Sequence, residues 1–285
     1  MAFDNIPRVN CFSLGDFHSF EKCYFDFLVK HHLQKKYEIA DSNENMAIGC
    51  LLDLAIKKLH LSKAYDQPLD YLLQSLFKAA EIEMREQAER EGPNSFYGAT
   101  VKFLTPEVRK EAQKVFKNYF EKRKGKSNKA ILNKRFWQTV LEGDGSASSP
   151  LKVWGGPDAL EMGDDGVPEI VDYKYFEDSK RGKENLDMDL MPKLYTLLCA
   201  EDILKMGFKK ARFRIRSLTD PEDESLYEEF DLGNSGLLKD FFRHNIEKIL
   251  SKTEISFCEK VYCKSCKSDS RDSWLAQLKV QFNFN

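Results

Sequence analysis

The sequence predicts an α/β fold, and three observations carry that reading. The first third of the chain has apolar residues at helical spacing. Residues 151–176 read as a β-hairpin. Arg212-Phe213-Arg214-Ile215-Arg216 alternates as a strand after a long helix. A chain of 285 residues with 42% hydrophobic residues can bury a sizeable core, as one large domain or two small ones. No apolar run is long enough to cross a membrane, and Met1-Ala2-Phe3-Asp4-Asn5 lacks the basic region and apolar core of a secretory signal. Seven cysteines, odd in number and unevenly spread, fit a reducing compartment, so a cytoplasmic location is expected. The formal charge of −2 gives no global pull toward nucleic acid and leaves that task to local patches.

The elements follow in order. Phe17, Phe20, Tyr24, Phe27 and Leu28 form an apolar stripe on one helix ahead of Lys30-His31-His32. A second helix is expected from about Asn45 to about His60, buried through Ile48, Leu51, Leu52, Ala55, Ile56 and Leu59. A third begins near Pro68 and ends before Gly92-Pro93. Pro106 opens a fourth, carrying Val108, Ala112, Val115, Phe116, Tyr119 and Phe120. These later helices read as an insertion before the sheet. Residues 143–149 are a flexible lead-in. Leu151 to Leu160 and Glu169 to Phe176 then read as paired strands around the turn Gly163-Asp164-Asp165-Gly166. A helix from about Lys183 to Met206 leads to the Arg212–Arg216 strand, which Tyr227 to Phe230 can pair with. Gly236 to Leu250 is a final amphipathic helix. The expected organisation is a single domain: N-terminal core helices (1–64), helical insertion (65–145), sheet and helices (146–250) and a Cys-containing tail (251–285).

A turn centred near Asp165 places Asp158 opposite Asp172, with Cβ atoms roughly 5 Å apart on one face. Lys174 points to the same face, near Gly156. Pro157 cannot donate to a ladder, so an edge or a bulge is expected there. Two carboxylates held this way repel unless something positive lies between them. Charged groups converging there are costly to bury without a partner, which a divalent cation and a phosphate would supply. Taken singly, Asp-x-Lys is ordinarily a solvated strand face and Gly-Gly-Pro-Asp a turn. The two on consecutive strands, with apolar residues around Asp172, favour a site.

Gly155-Gly156-Pro157-Asp158 followed by Val171-Asp172-Tyr173-Lys174 resembles the PD-(D/E)xK nuclease superfamily. More narrowly it resembles the RecB-type branch, and is similar to RecB and AddB nuclease domains and to CRISPR-associated RecB-like exonucleases. Ser13-Leu14 through Phe20-Glu21-Lys22-Cys23-Tyr24-Phe25-Asp26-Phe27 is similar to that branch's first helix, and Leu194-Tyr195 to the helix after its catalytic strands. The resemblance implies a restriction-endonuclease-like core, a small mixed sheet flanked by helices with a helical insertion. It implies that Asp158, Asp172 and the carbonyl of Tyr173 bind Mg2+ or Mn2+. Lys174 then orients a water or stabilises developing negative charge, and DNA phosphodiester bonds are hydrolysed. Gly156 and Tyr195 are supporting positions. Single-stranded or tailed DNA is the implied substrate, and a helicase or another repair or CRISPR protein the implied partner.

Two positions depart from the branch's pattern. Its Gly-x-x-x-His, with a metal-binding His, is Gly49-Cys50-Leu51-Leu52-Asp53 here. Asp53 is either an oxygen ligand suited to magnesium or manganese or an exposed helix Asp. Its Gln four residues before the Tyr is Met191 here. These departures motivate the alternative of a nuclease-fold nucleic-acid-binding protein without activity.

Cys258, Cys263 and Cys266 form Cys-x4-Cys-x2-Cys, a chelating turn that suits zinc or an iron–sulfur cluster. Resemblance to the branch's iron–sulfur members implies Cys23 as fourth ligand. Those members carry a further Cys after the pair, and residues 268–274 contain none, so free thiols are the other reading. A thiolate–metal structural module without phosphate chemistry is a third view of the whole chain. Lys114, Lys117, Lys122, Arg123, Lys124, Lys126 and Lys129 cluster with Phe116, Tyr119 and Phe120. They form either a nucleic-acid patch or a solvated helix end whose aromatics face the core. Arg212, Arg214 and Arg216 either serve nucleic acid or pair with acids such as Glu222 and Glu228. The five histidines have no ligand-like spacing.

Overall fold

The computed structural model describes residues 11–31, 43–93, 95–123, 130–132, 137–141, 150–175, 190–223, 225–251, 258, 263, 266, 268 and 270–282. The chain forms two compact units that alternate along the sequence. One comprises Met1–Tyr37, Phe136–Gly155 and Asn234–Asn285, the other Glu38–Arg135 and Gly156–Gly233.

The second unit carries a mixed sheet of order β2-β5-β6-β7-β8. Its strands are β2 (Ala130–Leu132), β5 (Ala159–Met162), β6 (Pro168–Lys174), β7 (Lys210–Ser217) and β8 (Tyr227–Asp231). β5 and β6 are antiparallel, with Ala159 opposite Val171 and Leu160 opposite Ile170. β6 and β7 run parallel, with Asp172 beside Ile215. The pleat therefore puts Leu160, Ile170, Asp172, Lys174, Phe213 and Ile215 on one face. Ala159, Glu161, Glu169, Val171, Tyr173, Arg212, Arg214 and Arg216 lie on the other. Helix α7 (Leu190–Lys205) packs along β6 and β7, with Tyr195 tilted on Phe213 at 6.1 Å. Pro192 sits in the first turn of α7, a part of a helix that tolerates proline. The expected helical residues 183–189 lie outside the described residues.

The opposite face is covered by α3 (Glu44–Ser62) and α6 (Pro106–Arg123), with α4 (Leu69–Glu91) and α5 (Phe96–Val101) behind. Asn43 caps α3 by accepting from the Met46 N–H at 3.0 Å. The buried stripe from Ile48 to Leu59 packs with Phe77 and Met84 of α4, with Ala112 and Phe116 of α6, and with Ala159, Val171 and Tyr173 of the sheet. α4 stops at Gly92, whose φ of +88° suits only glycine.

The first unit has a small mixed sheet in which β4 (Leu151–Gly155) lies between β1 (Cys11–Phe12), parallel, and β3 (Trp137–Leu141), antiparallel. The expected strand from Leu151 to Leu160 is therefore two strands in two sheets, parted at Gly156-Pro157-Asp158, where Pro157 offers no N–H to continue a ladder. The expected first helix also divides, into α1 (Leu14–Lys22) and α2 (Tyr24–His31). Cys23 between them is extended, at φ −166° and ψ 118°. Its N–H closes α1 on Ser19 O at 2.9 Å, and its carbonyl opens α2 by accepting from Phe27 N–H at 3.0 Å. Phe12 packs on Phe17 and Phe27, Phe17 packs on Phe242 of α8 (Ser235–Leu250), and α9 (Arg271–Phe282) lies against α2.

Candidate active site

The β5–β6 hairpin delivers the acidic pair. Asp158 stands one residue before β5, and its N–H donates to Val171 O at 2.9 Å. The register of the pair, extended by one residue, sets Asp158 opposite Asp172. Asp158 Oδ2 accepts from the Tyr173 N–H at 2.8 Å, which fixes the carboxylate against the β6 backbone. Lys174 Nζ stands 2.5 Å from Asp172 Oδ2.

Helix α3 brings a third carboxylate and a second ammonium. Lys57 Nζ is 2.9 Å from Asp53 Oδ1 and 3.3 Å from Asp158 Oδ1. Asp53 thus joins Asp158 through Lys57, a residue that sequence reasoning missed. The available signal was its spacing of four from Asp53, one helical turn along the same face. Tyr195 on α7 feels the same cluster: burial raises its hydroxyl pKa most, and the Asp172 and Asp158 charges raise it further. Gly156 lies in the β4–β5 connection, and Met191 is buried in the first turn of α7.

These groups repel and neutralise one another. Burial pushes Asp53 up to about 7, Asp158 adds to the rise, and Lys57 opposes it. Burial likewise pushes Asp172 up to about 6, against Lys174 and with Asp158. Asp172 is 4% exposed, and its Oδ2 has no aligned hydrogen bond despite the close Lys174 ammonium. Among the described residues Lys174 is the one cation at this buried oxygen, and the Asp158 charge works against the ionised form of Asp172. Asp53, Asp158, Asp172 and the carbonyl of Tyr173 offer oxygen atoms only, the donor type that hard divalent ions take.

An acid whose folded pKa exceeds its unfolded value binds its proton more tightly when folded. Its stabilisation is present at low pH and is lost as pH rises through the folded value. The metal-free protein is therefore expected to lose thermal stability as pH climbs through about 6 and about 7. Asp53→Asn should flatten that dependence. Calorimetric melts across this range check it, and equal slopes for both proteins would refute the assignment.

Behind the hairpin, on the opposite sheet face, lies a buried charged layer. The Tyr173 hydroxyl contacts Glu161, and His60 Nε2 at 3.0 Å. Arg216 pairs with Glu161, and with Glu169 at 2.7 Å. Arg214 Nε donates to Glu169 at 3.0 Å, and Arg212 pairs with Asp165 and Glu229 at 2.7 Å each. The arginine stripe is thus paired with acids, though not with Glu222, which takes Lys122 at 3.2 Å. Burial lowers the His60 pKa, as does Arg216, while Glu161 opposes them.

The basic cluster on α6 is only partly where it was expected. Lys117 and Lys122 are exposed, near Glu121 and Glu222 respectively. Arg123 is 2% exposed rather than solvated, and lines a cavity of about 200 Å3 with Asp165, Glu169, Arg212 and Arg214. Phe116 and Tyr119 are buried in the core, and Lys124, Lys126 and Lys129 lie outside the described residues.

In the first unit the four expected sulfurs meet. Cys23, Cys258, Cys263 and Cys266 place their Sγ atoms within 4.8 Å of one another. Cys23 and Cys266 are 3.5 Å apart, and Cys258 and Cys266 are 4.0 Å apart. All seven cysteines are free of disulfides. Burial pushes the Cys263 thiol up to about 11 and raises Cys266 also. A metal here must displace the thiol protons.

Among the described residues no helix is long and apolar enough to cross a membrane. No curated protein matches the chain. A solved structure, "Crystal structure of SSO0001", aligns over 87% of this chain and 95% of its own, at 13% identity and a TM-score of 0.27. The model of the PD-(D/E)XK nuclease superfamily matches residues 12–271, a span that holds Asp53, the whole β5–β6 hairpin and the four clustered cysteines. With a match over nearly its whole length, this chain belongs to the PD-(D/E)XK nuclease superfamily.

Proposed function

We propose that this protein is a metal-dependent deoxyribonuclease of the RecB-type branch that hydrolyses phosphodiester bonds in single-stranded or tailed DNA. The observation that carries the reading is the meeting of Asp158, Asp172 and Lys174 at one end of the hairpin, with Asp53 reaching it from α3. In this reading Asp53, Asp158, Asp172 and the Tyr173 carbonyl hold Mg2+ or Mn2+, which lowers the pKa of a bound water and neutralises phosphoryl charge. Lys174 orients the attacking water and faces the developing negative charge. The Tyr173 N–H holds Asp158 against the β6 backbone, and Gly156 and Tyr195 shape the surroundings. Lys117 and Lys122, together with Lys124 and Lys126, track the DNA backbone. The setting is cytoplasmic DNA repair, recombination or CRISPR-related processing beside a helicase.

Labelled linear, circular and single-stranded DNA, incubated with manganese, magnesium or chelator, tests this. Cleavage with either metal and none with chelator is expected. Retained DNA binding without cleavage under all conditions would favour an inactive nuclease-fold binding protein.

The cysteine site supports a second assignment, a structural zinc in the first unit. A zinc–sulfur distance of about 2.3 Å gives tetrahedral sulfur–sulfur edges of about 3.8 Å. The separations of 3.5 and 4.0 Å bracket that edge. An iron–sulfur cluster holds its thiolates farther apart, because irons and sulfides stand between them. Metal analysis is expected to find about one zinc per chain. Cys263→Ser should lower the zinc content and reduce Tm by roughly 10 °C. Stoichiometric iron with visible charge-transfer absorption would replace zinc by a cluster.

A further inference from the structure

Lys57 leaves α3 one turn after Asp53, so the two side chains share a face. Its Nζ is 2.9 Å from Asp53 Oδ1 and Oδ2 alike, and 3.3 Å from Asp158 Oδ1. The other oxygen of Asp158 is turned to the Tyr173 N–H, so the ammonium covers the side of Asp158 that the backbone leaves open. Lys174 neutralises Asp172 separately. With all three carboxylates ionised, the two ammoniums leave the cluster with one net negative charge.

The two lysines differ in origin. Lys174 is rooted in the buried strand β6, within the Asp-Tyr-Lys motif. The Lys57 side chain is 42% exposed and that of Lys174 34%, so both ammoniums reach water, against 12% for Asp158 and 5% for Asp172. The flexible stem of Lys57 can swing its charge into water while the carboxylates stay in place. The next residue, Lys58, turns instead to Glu83 at 2.7 Å, so the contact with Asp53 and Asp158 is specific to Lys57.

We propose that Lys57 is a resident counter-cation that holds the Asp53–Asp158 carboxylates until a divalent ion displaces it, and so sets the metal concentration at which the site fills. The inference rests on the nuclease-site reading above and assigns Lys57 a positioning role. Without its charge the cluster carries two net negative charges. Unit charges about 4 Å apart interact strongly at the effective dielectric of a protein surface, so the site should bind a divalent ion more tightly.

Manganese titration of the full-length protein without nucleic acid, by calorimetry and by electron paramagnetic resonance of the free ion, reads this directly. Lys57→Met and Lys57→Gln are expected to lower the manganese Kd by about tenfold, a change well within one displaced ion pair. Lys57→Arg should stay within about twofold, because its cation is retained. Lys58→Met should match the parent protein. Both neutral variants should also melt lower without manganese and gain more Tm on its addition. Manganese binding abolished by Asp158→Asn but not tightened by either neutral variant would overturn the role of Lys57 and leave the nuclease site standing. No manganese bound by the parent or the neutral variants would overturn both.

Discussion

Replacing Lys174 with methionine is expected to slow manganese-dependent DNA cleavage by about 10²–10³-fold, the cost of losing one preorganised charge from a developing oxyanion. Methionine keeps the length of the stem and removes only the ammonium. That ammonium stands 2.5 Å from Asp172 Oδ2 and opposes the rise that burial and Asp158 impose on the Asp172 carboxyl. Without it Asp172 should hold its proton to higher pH. The variant's residual cleavage should therefore rise toward alkaline pH more steeply than that of the parent. Asp172→Asn should lose cleavage at every pH, since an amide neither ionises nor holds a divalent ion well. Single-turnover cleavage across pH, with both variants shown to be folded, checks the expectation. Parental rates from both would place scission elsewhere in the molecule.

Arg216→Leu is expected to destabilise the protein by about 3–5 kcal/mol, the cost of leaving a buried charge without its partner. Arg216 is 2% exposed and lies between Glu161 and Glu169, themselves buried. Arg212 and Arg214 still reach Glu169, whereas Glu161 loses its paired guanidinium and keeps the Tyr173 hydroxyl and His60. The loss should extend to the site, because Glu161 also holds the Tyr173 hydroxyl, and the Tyr173 backbone holds Asp158. The double variant Arg216→Leu/Glu161→Leu should recover most of the stability, as apolar replacement of a whole buried pair commonly does. Denaturant unfolding of the three proteins checks it. A loss below about 1 kcal/mol in the single variant would mean that water reaches the layer.

The meeting of Asp158 with Asp172 is legible in the sequence because a hairpin has a period of two and the Gly163–Gly166 turn pins the register. The helices are legible for a similar reason: Pro68, Gly92 and Pro106 punctuate a clear apolar period. Pro157 signals an interruption, but nothing local says that the strands on its two sides enter different sheets. The break at Cys23 is hidden because apolar spacing runs straight through it. Lys57 and the Glu161–Glu169–arginine layer depend on which helix covers which sheet face. Charged side chains at alternate strand positions look alike whether water or α3 lies above them. Cys23 joins the other three sulfurs across up to 243 residues of chain, which local spacing does not specify.

The cysteine quartet sets an order of events during synthesis. Cys23 and Cys266 touch across 243 residues of chain. A ribosome adding roughly 5–20 residues per second keeps the early thiol waiting for roughly 10–50 s before its last companions emerge. All of the hairpin-bearing half, which ends at Gly233, has been polymerised by then. Any ion that the quartet takes would thus be captured late in the birth of the molecule, and chains truncated ahead of Cys258 would carry the acidic hairpin without the sulfur quartet.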